Sequence, residues 1–237
     1  MTTQTALRPQ PLPENFVYLQ DIDPTILQEV RYALSHNFMG RPVTSYNSPI
    51  IIVTEAVALA LKAVQEELKP FNLGLKVYDG YRPQDAVDAF AKWAEDPTDQ
   101  LMKAEFYPNI DKKTLFEAGY IAKRSSHTRG SAVDLTIVPL PVPEQPTWEP
   151  GDPILDGRLP KDKRFPDNSI DMGTGFDCLD ELSHTINPAL PPEVRANRLL
   201  LKTLMEKHGF ENYRKEWWHF GLRNERYPDT YFNFPVE

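Results

Sequence analysis

Apolar residues at three- and four-residue spacing mark the clearest element. Val57, Leu61, Val64 and Leu68 share one face of a helix predicted over 54–69. Thr54 is a residue type that caps helix starts, and Pro70 closes the run. The period then drops to two: Leu73, Leu75 and Val77 alternate with Gly74 and Lys76, which predicts a strand over 73–78. Asp79-Gly80 turns the chain, and Pro83 suits the first turn of a second helix reaching residue 94. A second strand is predicted over 131–138, with Val133, Leu135 and Ile137 on one face and Ala132, Asp134 and Thr136 on the other. A third helix follows over 192–208, stopped by Gly209, and a short aromatic strand over 217–222. Helices and strands mix without regular alternation. The pattern therefore predicts a single α+β domain with helices flanking a sheet, not a doubly wound fold.

Composition refines this picture. Proline occurs 23 times in 237 residues, about twice the ordinary usage of roughly 5%. Residues 1–15 read as a flexible lead before a domain over 16–237, and the proline-rich stretch 139–170 as a loop or excursion rather than a packed unit. Apolar residues at 41% supply a core and exclude general disorder. The net charge of −8 disfavours nucleic-acid phosphates and anionic membranes as partners. The single cysteine, Cys178, excludes an intrachain disulfide and reads as a small buried residue. The N-terminus lacks the basic start and apolar core of a secretory signal, and the apolar stretch 50–64 is too short and polar to span a bilayer. A cytoplasmic protein is expected, and a homo-oligomer is compatible with the sequence.

Three segments break the rules of ordinary packing. In SSHTRGSAVDL, 125–135, Asp134 sits inside an apolar strand, where a buried carboxylate needs a partner or a metal. Gly130 lets the backbone bend so that His127 can fold back over that strand. A plain His–Asp hydrogen bond, or an edge strand with Asp134 facing water, explains the same residues. In Glu216-Trp217-Trp218-His219, a bend at Glu216 leading into a strand that bears His219 reconciles the spacing; a core strand with a satisfied histidine is the alternative. Taken together, His127, Asp134 and His219 make a three-ligand set that leaves zinc an open position, with a further carboxylate nearby as base. In DGYRP, Arg82 stands at a helix start, where a cation is unfavourable. It either faces solvent, pairs with Asp79 or Asp85, or aims at an anion such as a developing oxyanion.

SSHTRGSAVDL, DGYRP, DMGTGFD with Ser183-His184 after it, and EWWHF together resemble the VanX-type D-alanyl-D-alanine dipeptidases. These are zinc peptidases related to bacterial D,D-carboxypeptidases and, in fold, to the hedgehog signalling domain. The resemblance runs from Phe16 to Val236. It implies a hedgehog/D,D-peptidase-like fold with a central, mainly antiparallel sheet. It also implies one Zn2+ per chain held by His127, Asp134 and His219, with Glu216 as catalytic base and Arg82 stabilising the transition state. Ser125, Asp177 and Tyr32 are implied substrate contacts. The implied reaction is hydrolysis of D-Ala-D-Ala to two D-alanines. A D,D-carboxypeptidase, a broader dipeptidase and a non-catalytic zinc-containing binding domain are the alternatives. The stretch 139–170 is longer than the family's usual connection and is open to a lid, a subunit contact or an inert excursion.

Overall fold

The computed structural model describes residues 11–237. Residues 1–10 of the expected lead lie outside this range. Just beyond them, the Tyr227 hydroxyl donates to the Glu14 carbonyl at 2.8 Å. The chain runs through β1 (Phe16–Tyr18), α1 (Leu19–Ile22), β2 (Leu27–Gln28), β3 (Ile52–Thr54), α2 (Glu55–Leu68) and β4 (Leu73–Asp79). Then come α3 (Gln84–Glu95), α4 (Lys103–Phe106), β5 (Ala132–Pro139), α5 (Pro192–Lys207), β6 (Phe210–Asn212) and β7 (His219–Leu222).

Helix α2 buries Val57, Ala58, Leu61, Val64 and Leu68 and packs against β4. Thr54 holds the capping position in extended backbone, but its side chain makes no cap bond. Pro70 lies inside a 3-10 turn, Lys69–Phe71, that follows the α-helix, and left-handed Asn72 ends it. Pro83 stands one residue before α3 rather than within its first turn. The aromatic strand starts at His219, two residues later than its pattern suggests. Trp217 is drawn out of the ladder: its N–H bonds to the Ser183 carbonyl at 3.1 Å and its indole to the Thr174 hydroxyl at 2.9 Å.

The central sheet has the order β2-β4-β5-β7-β6. Only the β2–β4 pair is parallel. Strands β1 and β3 form a separate antiparallel pair. The architecture is therefore α+β, with a mainly antiparallel sheet and flanking helices. Among the described residues no helix is long and apolar enough to cross a membrane.

The stretch 139–170 has no regular elements after Pro139; it is a largely exposed loop, with a few side chains laid as a cover on the core. The reason for this cover is Lys76, whose side chain is fully buried in β4. A buried ammonium needs anionic and polar partners. Its Nζ lies 2.6 Å from Glu29 and 3.0 Å from Asp167. It also donates to Gln145 at 3.1 Å and Asn168 at 2.8 Å. Close by, Trp148 stacks on buried His36 and Phe165 meets it edge-on. His36 Nδ1 accepts from Arg31, and its Nε2 bonds to Glu105 at 2.8 Å.

Strand register brings three polar side chains into one row. Asp79 pairs with Asp134 across β4 and β5, after an irregularity between Val77 and Asp79. Asp134 pairs with His219 across β5 and β7.

Candidate active site

His127 joins this row from a 3-10 turn, Ser126–Arg129, that leads into β5. Ser125 caps the turn, its Oγ accepting the His127 N–H at 3.2 Å. Gly130 then takes φ 70°, and a Cβ there would meet the Phe16 ring at 2.3 Å. Only glycine lets the turn close so tightly against β1. His127 Nδ1 lies 2.7 Å from the Gly80 carbonyl. A carbonyl can only accept, so Nδ1 carries the proton and Nε2 presents its lone pair.

That lone pair faces a compact donor set. His127 Nε2 is 3.1 Å from His219 Nδ1 and 3.3 Å from Asp134 Oδ1. His219 Nδ1 is 3.0 Å from the same oxygen. Tetrahedral zinc with ligands at about 2.0–2.1 Å places its donor atoms about 3.3 Å from one another. The two imidazoles and one carboxylate thus match zinc in chemistry and in spacing, and they are the described group able to hold a metal. Burial opposes the charge on Asp134, but His127 and His219 outweigh it and hold the carboxyl well below the usual range. Burial pushes His219 down, against the pull of Asp134.

Glu216 enters from the bend before β7, its Oε2 3.8 Å from His219 Nδ1. Burial, with Asp134 and Asp177 in range, pushes its carboxyl well above the ordinary value. Arg82 is not turned to solvent. Its Nε and Nη2 reach Asp79 at 2.9 and 2.8 Å, and Nη2 reaches Asp134 Oδ2 at 3.3 Å. The guanidinium also lies over the Tyr32 and Phe90 rings at 5.1 and 5.2 Å. Asp79 is itself buried and accepts the Tyr46 hydroxyl at 2.7 Å. Asp177 adopts φ 59°, a left-handed backbone rare outside glycine, and accepts the Tyr32 hydroxyl at 2.6 Å. Burial first, and then Asp134, push the Asp177 carboxyl up to about 7.

All eight residues singled out by sequence line one cavity of about 310 Å³: Tyr32, Arg82, Ser125, His127, Asp134, Asp177, Glu216 and His219. Of the two carboxylates the sequence offered Arg82 as partners, Asp79 is the one that clamps it. The Gly80 carbonyl that orients His127 left no trace in residue type. Cys178 is buried and free.

The family model Peptidase M15, described as D-ala-D-ala dipeptidase, matches residues 13–140 and 163–237. A D-alanyl-D-alanine dipeptidase of Enterococcus faecalis (strain ATCC 700802 / V583) is 40% identical over 221 residues, covering 93% of this chain and 98% of that protein. Proteins of the same name from Streptomyces coelicolor (strain ATCC BAA-471 / A3(2) / M145) and Enterococcus faecium are each 37% identical over 222 residues, covering 94% of this chain and 98% of theirs. With the cavity, its donor set and these likenesses in agreement, the chain belongs to the Peptidase M15 family and is a peptidase.

Proposed function

We propose that the protein is a zinc-dependent dipeptidase that hydrolyses D-Ala-D-Ala to two D-alanines. The observation that carries this reading is the triangle of His127, Asp134 and His219 donor atoms, 3.0–3.3 Å apart, with the Glu216 carboxylate beside it. The relatives named above supply the substrate. When bound by those three residues, zinc would acidify a water and polarise the scissile carbonyl.

The remaining work falls to the chain's own side chains. Glu216 takes the proton of the attacking water on a carboxylate oxygen. As the C–N bond breaks, it delivers that proton to the departing amine. Arg82 offers five N–H groups in a fixed fork. Asp79 and Asp134 engage those on Nε and Nη2, which fixes the guanidinium and leaves Nη1 for charge building on the carbonyl oxygen. Asp177, with Tyr32 bonded to it, gives the substrate's free ammonium a carboxylate partner. An ammonium beside it favours the ionised form. Ser125 lines the cavity while its Oγ holds the His127 turn.

The test is Glu216→Gln, with zinc content by elemental analysis and D-alanine release from D-Ala-D-Ala. The expected result is one zinc per chain and a loss of turnover of about 10²-fold or more. Parental turnover in Glu216→Gln would overturn the assigned base. Full turnover by protein stripped of metal would overturn zinc dependence.

A further inference from the structure

One side of the cavity is unexplained by the proposed chemistry. Of its lining residues, only Gly119, Ala122 and Arg124 are exposed. All belong to a single irregular run, which therefore forms the rim between the cavity and solvent. Side chains from elsewhere hold this rim down. The Tyr213 hydroxyl donates to the Gly119 carbonyl at 3.0 Å. The Lys215 ammonium donates to the Ala118 carbonyl. The Tyr120 hydroxyl lies 3.3 Å from His184 Nε2.

Tyr213 and Lys215 belong to the same turn as Glu216. The Tyr213 N–H bonds to the His219 carbonyl at 3.0 Å, and its ring stands edge-on to the His219 imidazole at 5.9 Å. Rim and base are thereby tied into one body. Gly119 is fitted to this contact: its φ is 80°, and a Cβ there would lie 2.7 Å from the Tyr213 hydroxyl oxygen.

We infer that Tyr213 and Lys215 clasp the 118–122 segment over the cavity and so set the length of the substrate. A free dipeptide fits beneath the closed rim; a tripeptide or an N-acylated dipeptide requires the rim to lift. This inference rests on the peptidase reading of the site and adds residues that select substrate without touching the reacting atoms. The cavity, about 310 Å³, is at the small end of ligand sites, so the position of the rim decides how far a peptide can extend within it. Each bond to the rim shifts an open–closed equilibrium roughly two- to tenfold, and the pair roughly tenfold or more.

The test compares the zinc-loaded parent with the double variant Tyr213→Phe/Lys215→Met. The readouts are kcat/KM on D-Ala-D-Ala, D-Ala-D-Ala-D-Ala and N-acetyl-D-Ala-D-Ala, and amide hydrogen exchange over residues 116–122. The ratio of dipeptide to tripeptide kcat/KM is expected to fall about tenfold, with faster exchange at the rim. A merely structural role would lower all three rates together and leave their ratio unchanged. Gly119→Ala, which pushes the Tyr213 hydroxyl away, should move the ratio in the same direction and serves if the double variant does not fold. An unchanged ratio overturns the inference, and so does unchanged exchange over 116–122. A parent that releases no D-alanine from D-Ala-D-Ala overturns the peptidase reading instead.

Discussion

Replacing Lys76 with methionine removes one positive charge from the interior while keeping most of the aliphatic stem. In the parent, Lys76 and Arg31 face Glu29 and Asp167, two charges of each sign. In Lys76→Met the cluster holds two carboxylates and one guanidinium. Removing one partner of a buried ion pair typically costs about 3–5 kcal/mol. Asp167 keeps Arg31 at 3.2 Å and the Tyr78 hydroxyl at 2.7 Å, so the lower figure applies, about 3 kcal/mol. For a chain of this size that lowers Tm by roughly 6–12 °C, read by scanning calorimetry at pH 7. A second substitution, Asp167→Asn, restores the charge balance and should return at least half of the loss. Acid supplies an independent check. Burial resists the Asp167 charge, but Lys76 and Arg31 hold its carboxyl well below the ordinary value. A depressed carboxyl stabilises the fold above its unfolded pKa, and that stability drains as pH falls. The gap between parent and variant should therefore narrow below about pH 4. A Tm within about 2 °C of the parent, or a double variant no better than the single one, would refute the idea that Lys76 anchors the 139–170 cover.

Arg82→Lys keeps the charge but loses the fork; kcat should fall about 10²–10³-fold at unchanged zinc content, and a loss under tenfold would remove Arg82 from the transition state. Glu105 is pushed up to about 7, by burial above all, so the folded state holds its proton more tightly than the unfolded chain. Stability is thus lost as pH rises from about 4.5 to 7. Glu105→Gln should gain up to about 3 kcal/mol at pH 8 and nothing at pH 4 in urea titrations, and an equal effect at both pH values would contradict this. Gly130→Ala drives a Cβ into Phe16 and strains a left-handed residue, so stability should drop by about 1–3 kcal/mol. Zinc affinity should weaken with it, since the displaced turn carries His127; isothermal titration with zinc checks this, and unchanged affinity would mean the turn does not position that ligand.

Much of the site was legible because its local patterns were unusual. A carboxylate in the apolar run around Asp134 and a histidine just before Gly130 stood out against ordinary strand composition. Glu216 was legible as a bend because the strand period could not place it and His219 together. The burial of Lys76 left no such signal. It occupies the polar phase of an alternating strand, where a lysine is ordinary. Its neutralising partners, Glu29 and Asp167, come from distant segments, and the layer that buries it has no periodicity to read. The two-residue strand β2 was likewise too short to leave a pattern.

Asp79, Asp134 and His219 come from three neighbouring strands and meet only in one alignment. Because side chains alternate between faces, a slip of β7 by a single residue against β5 would carry the imidazole to the far side of the sheet. Catalytic competence is therefore a stricter reporter than compactness: in refolding, tryptophan burial can recover in a mispaired sheet, while hydrolysis returns only when the ladder has settled into its final alignment.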